Sequence, residues 1–230
     1  MTIDCRLSTI CCQLCDNMGM WDSEKIEVIE AARRMEQKGL VTGTAGNVSL
    51  RLKDPNGRNL LAITPSGRYY DSLDVDDIVV VDFAGERIEG QLRASIETPM
   101  HIAVYQARPK INAIMHSHPV FCSALAVAGM EIPPLIDEQV TYLGGEIKIS
   151  LYALPGSKEL AANVVSALGP RNGVIMANHG ALCTGRDMHE ALAMSELLES
   201  TAQIYLSALR LGKVNQLPAE VVELEKAVFA

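Results

Sequence analysis

The spacing of apolar residues changes near residue 40, and this change constrains the fold more than any other feature of the sequence. Over residues 24–38 apolar side chains recur at the spacing of one helix face, and Gly39 follows as a helix-ending residue. Over residues 47–52, 60–64 and 77–83 the period is two, and turn-forming D-P-N-G and T-P-S-G sequences lie between these segments. The pattern predicts an amphipathic helix followed by a meander of three strands.

Beyond residue 90, predicted helices and buried strands alternate. Ser95 opens a helix that ends near residue 108, and Asp187 with Glu190 forms a capping box for a long helix. The segments between these two helices are predicted as strands at 112–117, 147–152 and 173–178 and helices at 120–128 and 157–168. We therefore expect the α/β class, with a mostly antiparallel or mixed central sheet between two helical layers (α/β/α).

The composition is that of a folded, acidic protein. Of the 230 residues 48% are hydrophobic and 21% are charged, which provides a core and excludes global disorder. Acidic residues outnumber basic ones by 28 to 20, and no Lys/Arg-rich run stands out, so no nucleic-acid partner is expected. The longest stretch without a charged side chain, residues 111–130, contains Asn112, two histidines and Pro119, which argues against a membrane span.

The N-terminal residues lack the pattern of a signal peptide, so we expect a cytoplasmic protein. Residues 1–21 are predicted to be a poorly ordered extension, and residues 22–230 a single domain. The extension contains a C-x-x-C pair, Cys12 and Cys15, which is compatible with half a zinc site, a redox pair or free thiols. No second C-x-x-C follows, and a cytosolic setting favours free thiols.

Three of the five histidines lie at the ends of predicted buried strands. His116 and His118 are two residues apart, so on a strand both imidazoles point to the same side. His179 follows a second buried strand, within N-H-G. Three imidazoles with one open position are typical of a catalytic zinc site, although other divalent metals also accept such ligands. The alternative is that these histidines are ordinary, hydrogen-bonded core residues.

Glu97 lies at the start of the predicted helix that precedes the H-x-H strand. It is either a fourth metal ligand in the resting state or a general acid/base beside the metal. The alternative is a glutamate that only stabilises a helix N-terminus. His101 lies one helical turn further on, and we expect it to pack behind the metal ligands rather than to bind the metal.

Three loops rich in small residues indicate an anion site. They are G-T-A-G-N at 43–47, T-P-S-G at 64–67 and the segment that begins at Ser95. Glycine lets backbone amides face an anion, and hydroxyl groups add uncharged donors. Each loop alone is also compatible with an ordinary turn.

Together these motifs resemble the class II aldolase/adducin family, and within it most of all the L-fuculose-1-phosphate aldolases. The resemblance covers about residues 24–210. It is carried, in order, by G-T-A-G-N-V-S at 43–49, I-T-P-S-G at 63–67, S-I-E at 95–97, H-S-H-P at 116–119, G-G at 144–145 and N-H-G at 178–180. It implies a fold with helices on both sides of a sheet, a catalytic zinc ion and a fourfold-symmetric homotetramer with active sites between subunits.

The resemblance also assigns residues to roles. It implies that His116, His118 and His179 bind zinc, and that Glu97 is the catalytic acid/base that leaves the metal when substrate binds. The segments that hold the substrate phosphate contribute Gly46, Asn47, Thr64, Ser66, Gly67 and Ser95.

The sequence departs from the family at two positions. The fuculose-phosphate enzymes typically have S-S-E where this chain has S-I-E, so one phosphate-binding hydroxyl is missing. They also use a tyrosine, in the loop before G-G, as a proton donor. In this chain the residues nearest that position are Asp137 and Glu138, with Tyr142 closer to G-G.

The implied activity is reversible cleavage of a ketose 1-phosphate, such as L-fuculose 1-phosphate, to dihydroxyacetone phosphate and an aldehyde through a metal-stabilised enediolate. The small-molecule partner is therefore a sugar phosphate. The same family also contains a pentulose-phosphate 4-epimerase, dehydratases and decarboxylases, which are the alternatives. A non-catalytic scaffold like the adducin head is a more remote one.

Overall fold

The computed structural model describes residues 19–229. Almost all of the predicted N-terminal extension, with Cys5, Cys11, Cys12 and Cys15, therefore lies outside the described residues. The helices are α1 (Asp22–Gln37), α2 (Thr98–Ala107), α3 (Val120–Ala128), α4 (Lys158–Leu168), α5 (Met188–Arg210) and α6 (Ala219–Phe229). The strands are β1 (Asn47–Lys53), β2 (Asn59–Ile63), β3 (Val79–Asp82), β4 (Arg87–Glu89), β5 (Ala113–Ser117), β6 (Ile149–Ser150), β7 (Gly173–Met176) and β8 (Gly180–Gly185).

The eight strands form one sheet in the order β4-β3-β2-β1-β5-β8-β7-β6. Every neighbouring pair is antiparallel except β6 and β7, which are parallel. The predicted mixed, mostly antiparallel sheet is confirmed. The predicted meander forms one half of the sheet, and β5 joins it to the other half by pairing with both β1 and β8.

Helices cover both faces of this sheet, as predicted. Along β2, Leu60 packs with α1 and α5 on one face, whereas its neighbour Leu61 packs with α2 and α4 on the other. Helix α3 lies on the same face as α5, where Cys122 and Leu198 share a cluster with residues of β7 and β8. Strand residues that alternate between two buried clusters are the signature of a sheet covered on both sides.

Two helix starts show how local chemistry sets element ends. At α5 the Asp187 carboxylate accepts a hydrogen bond from the Glu190 N–H at 2.8 Å, as predicted, but the Glu190 carboxylate bonds the Arg186 N–H instead of completing the box. The predicted start of α2 at Ser95 is wrong, because the helix begins at Thr98. A start at Ser95 would require an N–H from Pro99, which has none, whereas the observed start leaves Pro99 in the first turn.

Several segments differ from the sequence prediction. Strand β8 was not predicted at all, and the strand expected at 147–152 is reduced to Ile149–Ser150. The C-terminal helix α6 was not predicted either, and it packs against the π-helical turn Gln139–Leu143. Among the described residues, no helix combines the length and apolar character that crossing a bilayer requires.

Candidate metal centre and active site

The three strand-end histidines converge on one point. His116 lies within β5, and His118 lies two residues after His116. His179 lies in the tight turn from β7 to β8. Because β8 pairs with β5, this turn is brought beside the H-x-H segment. One nitrogen from each imidazole lies within 4.8 Å of the others, and the ring centroids are 4.8–5.0 Å apart in edge-to-face arrangement.

The N-H-G sequence explains how the third histidine reaches this position. Asn178 has φ +53°, a left-handed conformation that asparagine tolerates better than most residues. A Cβ at Gly180 would lie 2.4 Å from the Ser117 carbonyl oxygen and 2.9 Å from Cδ2 of His118. Only glycine therefore lets the two strands approach closely enough to bring the three histidines together.

The hydrogen bonds of His116 fix its tautomer and test whether the site fits a metal. Its Nδ1 lies 2.9 Å from the Ala181 carbonyl oxygen, which only accepts, so Nδ1 carries a proton. Its Nε2 lies 3.0 Å from both Glu97 Oε2 and His118 Nε2. Electron-rich atoms at this spacing need a positive charge among them, and three imidazoles with a carboxylate are a donor set that suits zinc. The residues present therefore fit a divalent metal.

Glu97 occupies the N-cap position of α2 and is buried. Its Oε2 accepts a hydrogen bond from the Asn47 amide at 2.9 Å and contacts His116. Its Oε1 is buried without a hydrogen-bond partner and lies 3.6 Å from His179 Nε2. An unpartnered carboxylate oxygen facing the histidines is what a fourth ligand, or a base awaiting a proton, requires.

The charges in this cluster act on one another. Burial alone would raise the pKa of Glu97, but the nearby His116, His179 and Asn47 lower that pKa well below its usual range. Burial acts to lower the pKa of His116, yet the Glu97 carboxylate outweighs it and the pKa is raised. Burial and the charge of His116 lower the pKa values of His118 and His179 to about 4, so both are neutral near pH 7. Neutral imidazole is the form that binds metal.

Behind Glu97 lies a buried chain of hydrogen bonds. Asn47 Oδ1 is 2.6 Å from His101 Nε2, and His101 Nδ1 is 2.6 Å from the Ser49 hydroxyl, which contacts the Tyr105 hydroxyl at 3.0 Å. His101 thus lies behind Glu97 and outside the group of three histidines. Burial and the charge of His116 lower the pKa of His101 to about 3.

Ser49 and Tyr105 were not singled out from the sequence, although a signal was present. Asn47 and Ser49 are two apart on one strand, and Glu97, His101 and Tyr105 are each four apart along one helix. These two periods place each set on one face of its own element, which is the signal that the sequence offers.

The residues predicted to hold phosphate lie in three adjacent loops. The Ser95 N–H donates to the Thr64 carbonyl at 3.2 Å, and the Ser66 N–H donates to the Arg93 carbonyl at 2.9 Å. A Cβ at Gly46 would lie 2.6 Å from the His116 carbonyl oxygen, so this loop approaches the histidine cluster closely. The Asn47 side chain is already engaged by Glu97 and His101, and Ser66 and Gly67 are exposed.

The candidate proton donors lie elsewhere on the chain. The Asp137 carboxyl group contacts Glu225 on α6, which raises the pKa of Glu225 after the larger effect of burial. Glu138 lies beside it at the start of the π-helical turn, and the Tyr142 side chain is half exposed. The structure of the single chain does not join these three side chains to the histidine cluster.

A cavity of about 690 Å³ lies between α2 and α4, and its lining includes Arg93, Ser95 and Lys158. None of the three histidines lines it. The histidines are instead reached from the surface, since His118 and His179 are each only partly buried.

Comparisons with known proteins agree with this fold and site. The family model "Class II Aldolase and Adducin N-terminal domain" matches residues 26–206. A 5-deoxy-D-ribulose 1-phosphate aldolase of Bacillus thuringiensis serovar kurstaki is 31% identical over 87% of this chain and 92% of its own length. An L-ribulose-5-phosphate 4-epimerase of Salmonella paratyphi B is 34% identical over 78% of this chain and 82% of its own length. A solved L-fuculose 1-phosphate aldolase has a TM-score of 0.84 and 35% identity, covering 89% of this chain and 95% of that one.

The fold is an α/β/α sheet with a histidine cluster at its strand ends, and the similar proteins are named as aldolases and an epimerase. The chain belongs to the class II aldolase/adducin family. Its relatives at this level of similarity are enzymes, and the chain is an enzyme of this class.

Proposed function

We propose that this protein is a zinc-dependent aldolase that reversibly cleaves a ketose 1-phosphate to dihydroxyacetone phosphate and an aldehyde. The observation that supports it most is the juxtaposition of three converging imidazoles with the unpartnered Oε1 of Glu97. Two of the similar proteins are named as aldolases of ketose 1-phosphates, which is the same substrate class.

In this proposal His116, His118 and His179 hold the metal and Glu97 moves the proton. When bound, zinc supplies a Lewis acid for the negative charge that develops on the substrate oxygens. Glu97 Oε1 accepts the proton from carbon 3 of dihydroxyacetone phosphate in the condensation direction and returns it in the reverse direction. Such a positioned base contributes about 10²–10⁴-fold to the rate.

The phosphate is held by uncharged donors. The Thr64 hydroxyl oxygen accepts the Val48 N–H at 3.2 Å, and the Ser95 hydroxyl oxygen accepts the Glu97 N–H at 3.2 Å. Each hydroxyl therefore keeps its own proton for a phosphate oxygen. Backbone amides of the loops at Gly46 and Gly67 add further donors.

The aldehyde end of the substrate requires a proton donor. We place this donor on a neighbouring subunit of a homotetramer with fourfold symmetry. Asp137, Glu138 and Tyr142 are the candidates. The partial exposure of His118 and His179 supports a substrate site that another subunit completes.

The test avoids the unknown aldehyde. Zinc-loaded protein is incubated with dihydroxyacetone phosphate in heavy water, and loss of the carbon-3 proton signal is followed by NMR. We expect exchange that stops with a chelator, and a Glu97→Gln variant that keeps its zinc but exchanges about 10²–10⁴-fold more slowly. Glu131→Gln is the matched control, because Glu131 is an exposed partner of Lys148. Absence of exchange by fully metallated protein would refute the aldolase.

A second candidate is epimerisation of a pentulose 5-phosphate at carbon 4 with the same metal centre. The 34% identity to an L-ribulose-5-phosphate 4-epimerase favours it. Conversion of ribulose 5-phosphate without net cleavage, together with no exchange on dihydroxyacetone phosphate, would establish this alternative instead.

A further inference from the structure

The hydrogen bonds behind Glu97 have only one allowed direction. A carboxylate oxygen accepts and does not donate, so the Asn47 group 2.9 Å from Glu97 Oε2 is the amide NH₂. The amide oxygen of Asn47 then faces His101 Nε2 at 2.6 Å, and that oxygen also only accepts. His101 therefore carries its proton on Nε2.

The remaining members of the chain agree with this direction. A neutral imidazole with a proton on Nε2 accepts at Nδ1, so the Ser49 hydroxyl donates to it across 2.6 Å. The Tyr105 hydroxyl is within 3.1 Å of the Ser49 hydroxyl and of the carbonyl oxygens of Ser49 and Asn112. His101 and Ser49 are completely buried, so water does not substitute for any of these partners.

We propose that His101 is a positioning residue for Glu97 and acts through Asn47. The Nε2–H of His101 locks the Asn47 amide with its NH₂ on Glu97 Oε2. If the amide were reversed, its oxygen would lie 2.9 Å from a carboxylate oxygen, and two acceptors would face each other. The locked amide saturates Oε2 and leaves Oε1 as the oxygen that takes the carbon-bound proton. This last step rests on the proposed function. The orientation of the Asn47 amide that His101 fixes, called the lock below, does not.

Two substitutions at His101 separate the lock from simple packing. His101→Gln places an amide nitrogen close to the position of Nε2 and keeps a donor for Asn47. His101→Asn is shorter, reaches only the position of Nδ1 and loses that donor. Both variants are prepared as full-length, zinc-loaded protein, and zinc content and unfolding temperature are measured for each.

We expect His101→Asn to lower kcat for carbon-3 exchange by about 10–100-fold, the usual effect of losing a partner of a metal-site residue, with KM and zinc content unchanged. His101→Gln should restore most of that loss. Equal losses in both variants, or a change confined to KM or zinc content, would overturn the proposal.

NMR spectroscopy tests the orientation of these hydrogen bonds without depending on enzyme activity. In ¹⁵N NMR of the wild-type protein, His101 should be protonated at Nε2 and unprotonated at Nδ1; the opposite tautomer would overturn the lock. The ¹³C signal of the Glu97 carboxyl group, assigned by its loss in Glu97→Gln, should move in His101→Asn and return in His101→Gln. If wild-type protein shows these signals but no exchange, the proposed function fails while the lock stands.

Discussion

Substitution of Gly180 by alanine tests the geometry of the metal centre directly. The added Cβ would lie 2.4 Å from the Ser117 carbonyl oxygen and 2.9 Å from Cδ2 of His118, whereas ordinary contacts begin at 3.4 Å. The Ser117 backbone must therefore retreat by about 1 Å and the His118 ring by about 0.5 Å. Gly180 does not have a positive φ, so alanine causes no backbone strain of its own.

The expected magnitudes follow from these displacements. Forcing a methyl group into a packed site costs about 1–3 kcal/mol of unfolding free energy. For a chain of this size that lowers Tm by about 2–12 °C. A displacement of about 0.5 Å exceeds the roughly 0.2 Å tolerance of metal–ligand distances, so we expect zinc affinity to fall by about 10–100-fold.

Gly173→Ala is the matched control. Gly173 also lies on a strand of the same sheet without a positive φ, but its Cβ would meet only side-chain atoms, the nearest being Leu143 Cδ2 at 3.3 Å. Zinc affinity is measured by competition with a chromophoric chelator, and stability by thermal unfolding in the presence of a chelator. Equal zinc affinity and equal Tm in the two variants would refute the reasoning.

Three further outcomes are expected. Metal removal should lower Tm by about 5–10 °C, because a ligand at 100 times its Kd adds about 2.7 kcal/mol to the free energy of unfolding. Readdition of zinc should restore the original Tm, and an unchanged Tm would contradict metal binding at the histidine cluster. Asp187→Ala should cost about 1 kcal/mol in urea unfolding, because it removes the side-chain cap of α5, and a loss below about 0.3 kcal/mol would count against that cap. In chelated protein, burial holds the pKa values of His101, His118 and His179 at about 3, 4 and 4, so the unfolded chain takes up these protons first. The stability that these three histidines contribute should therefore be fully present above pH 6.5 and decline as the pH falls towards 4. The raised pKa of His116 acts in the opposite direction, but three lowered values outweigh one, so urea unfolding should show a net decline over that range; a flat profile would contradict these shifts.

The sequence predicted most of the elements whose residues have a clear period. Strand β1 alternates polar and apolar residues, and β2 and β3 are continuous apolar runs between turn sequences, so these patterns are visible without knowing their neighbours. Strand β8 was missed because G-A-L-C-T-G is bounded by glycines and contains only one residue of a type that favours strands, Thr184. Its conformation comes from pairing with β5 and β7, which a single segment does not reveal.

The candidate site also has a part that the sequence predicted and a part that it did not. The three histidines were found because H-x-H and N-H-G place imidazoles at strand ends, which depends only on local spacing. The chain from Glu97 through Asn47 to Ser49 was missed because it joins residues that are about 50 positions apart, and register between a strand and a helix is a tertiary property. The fourfold tetramer, the single-domain boundaries and the proton donor stay predictions.

The two edge strands of the sheet affect whether the sheets of two molecules can pair through their backbones. The sheet ends in a three-residue strand, β4, on one side and a two-residue strand, β6, on the other. Short edges offer little unpaired backbone, and Glu89 on β4 adds a charge that is paired with Lys25. Such edges disfavour the edge-to-edge pairing of native molecules into a continuous ribbon, the route that leads to amyloid-like aggregation.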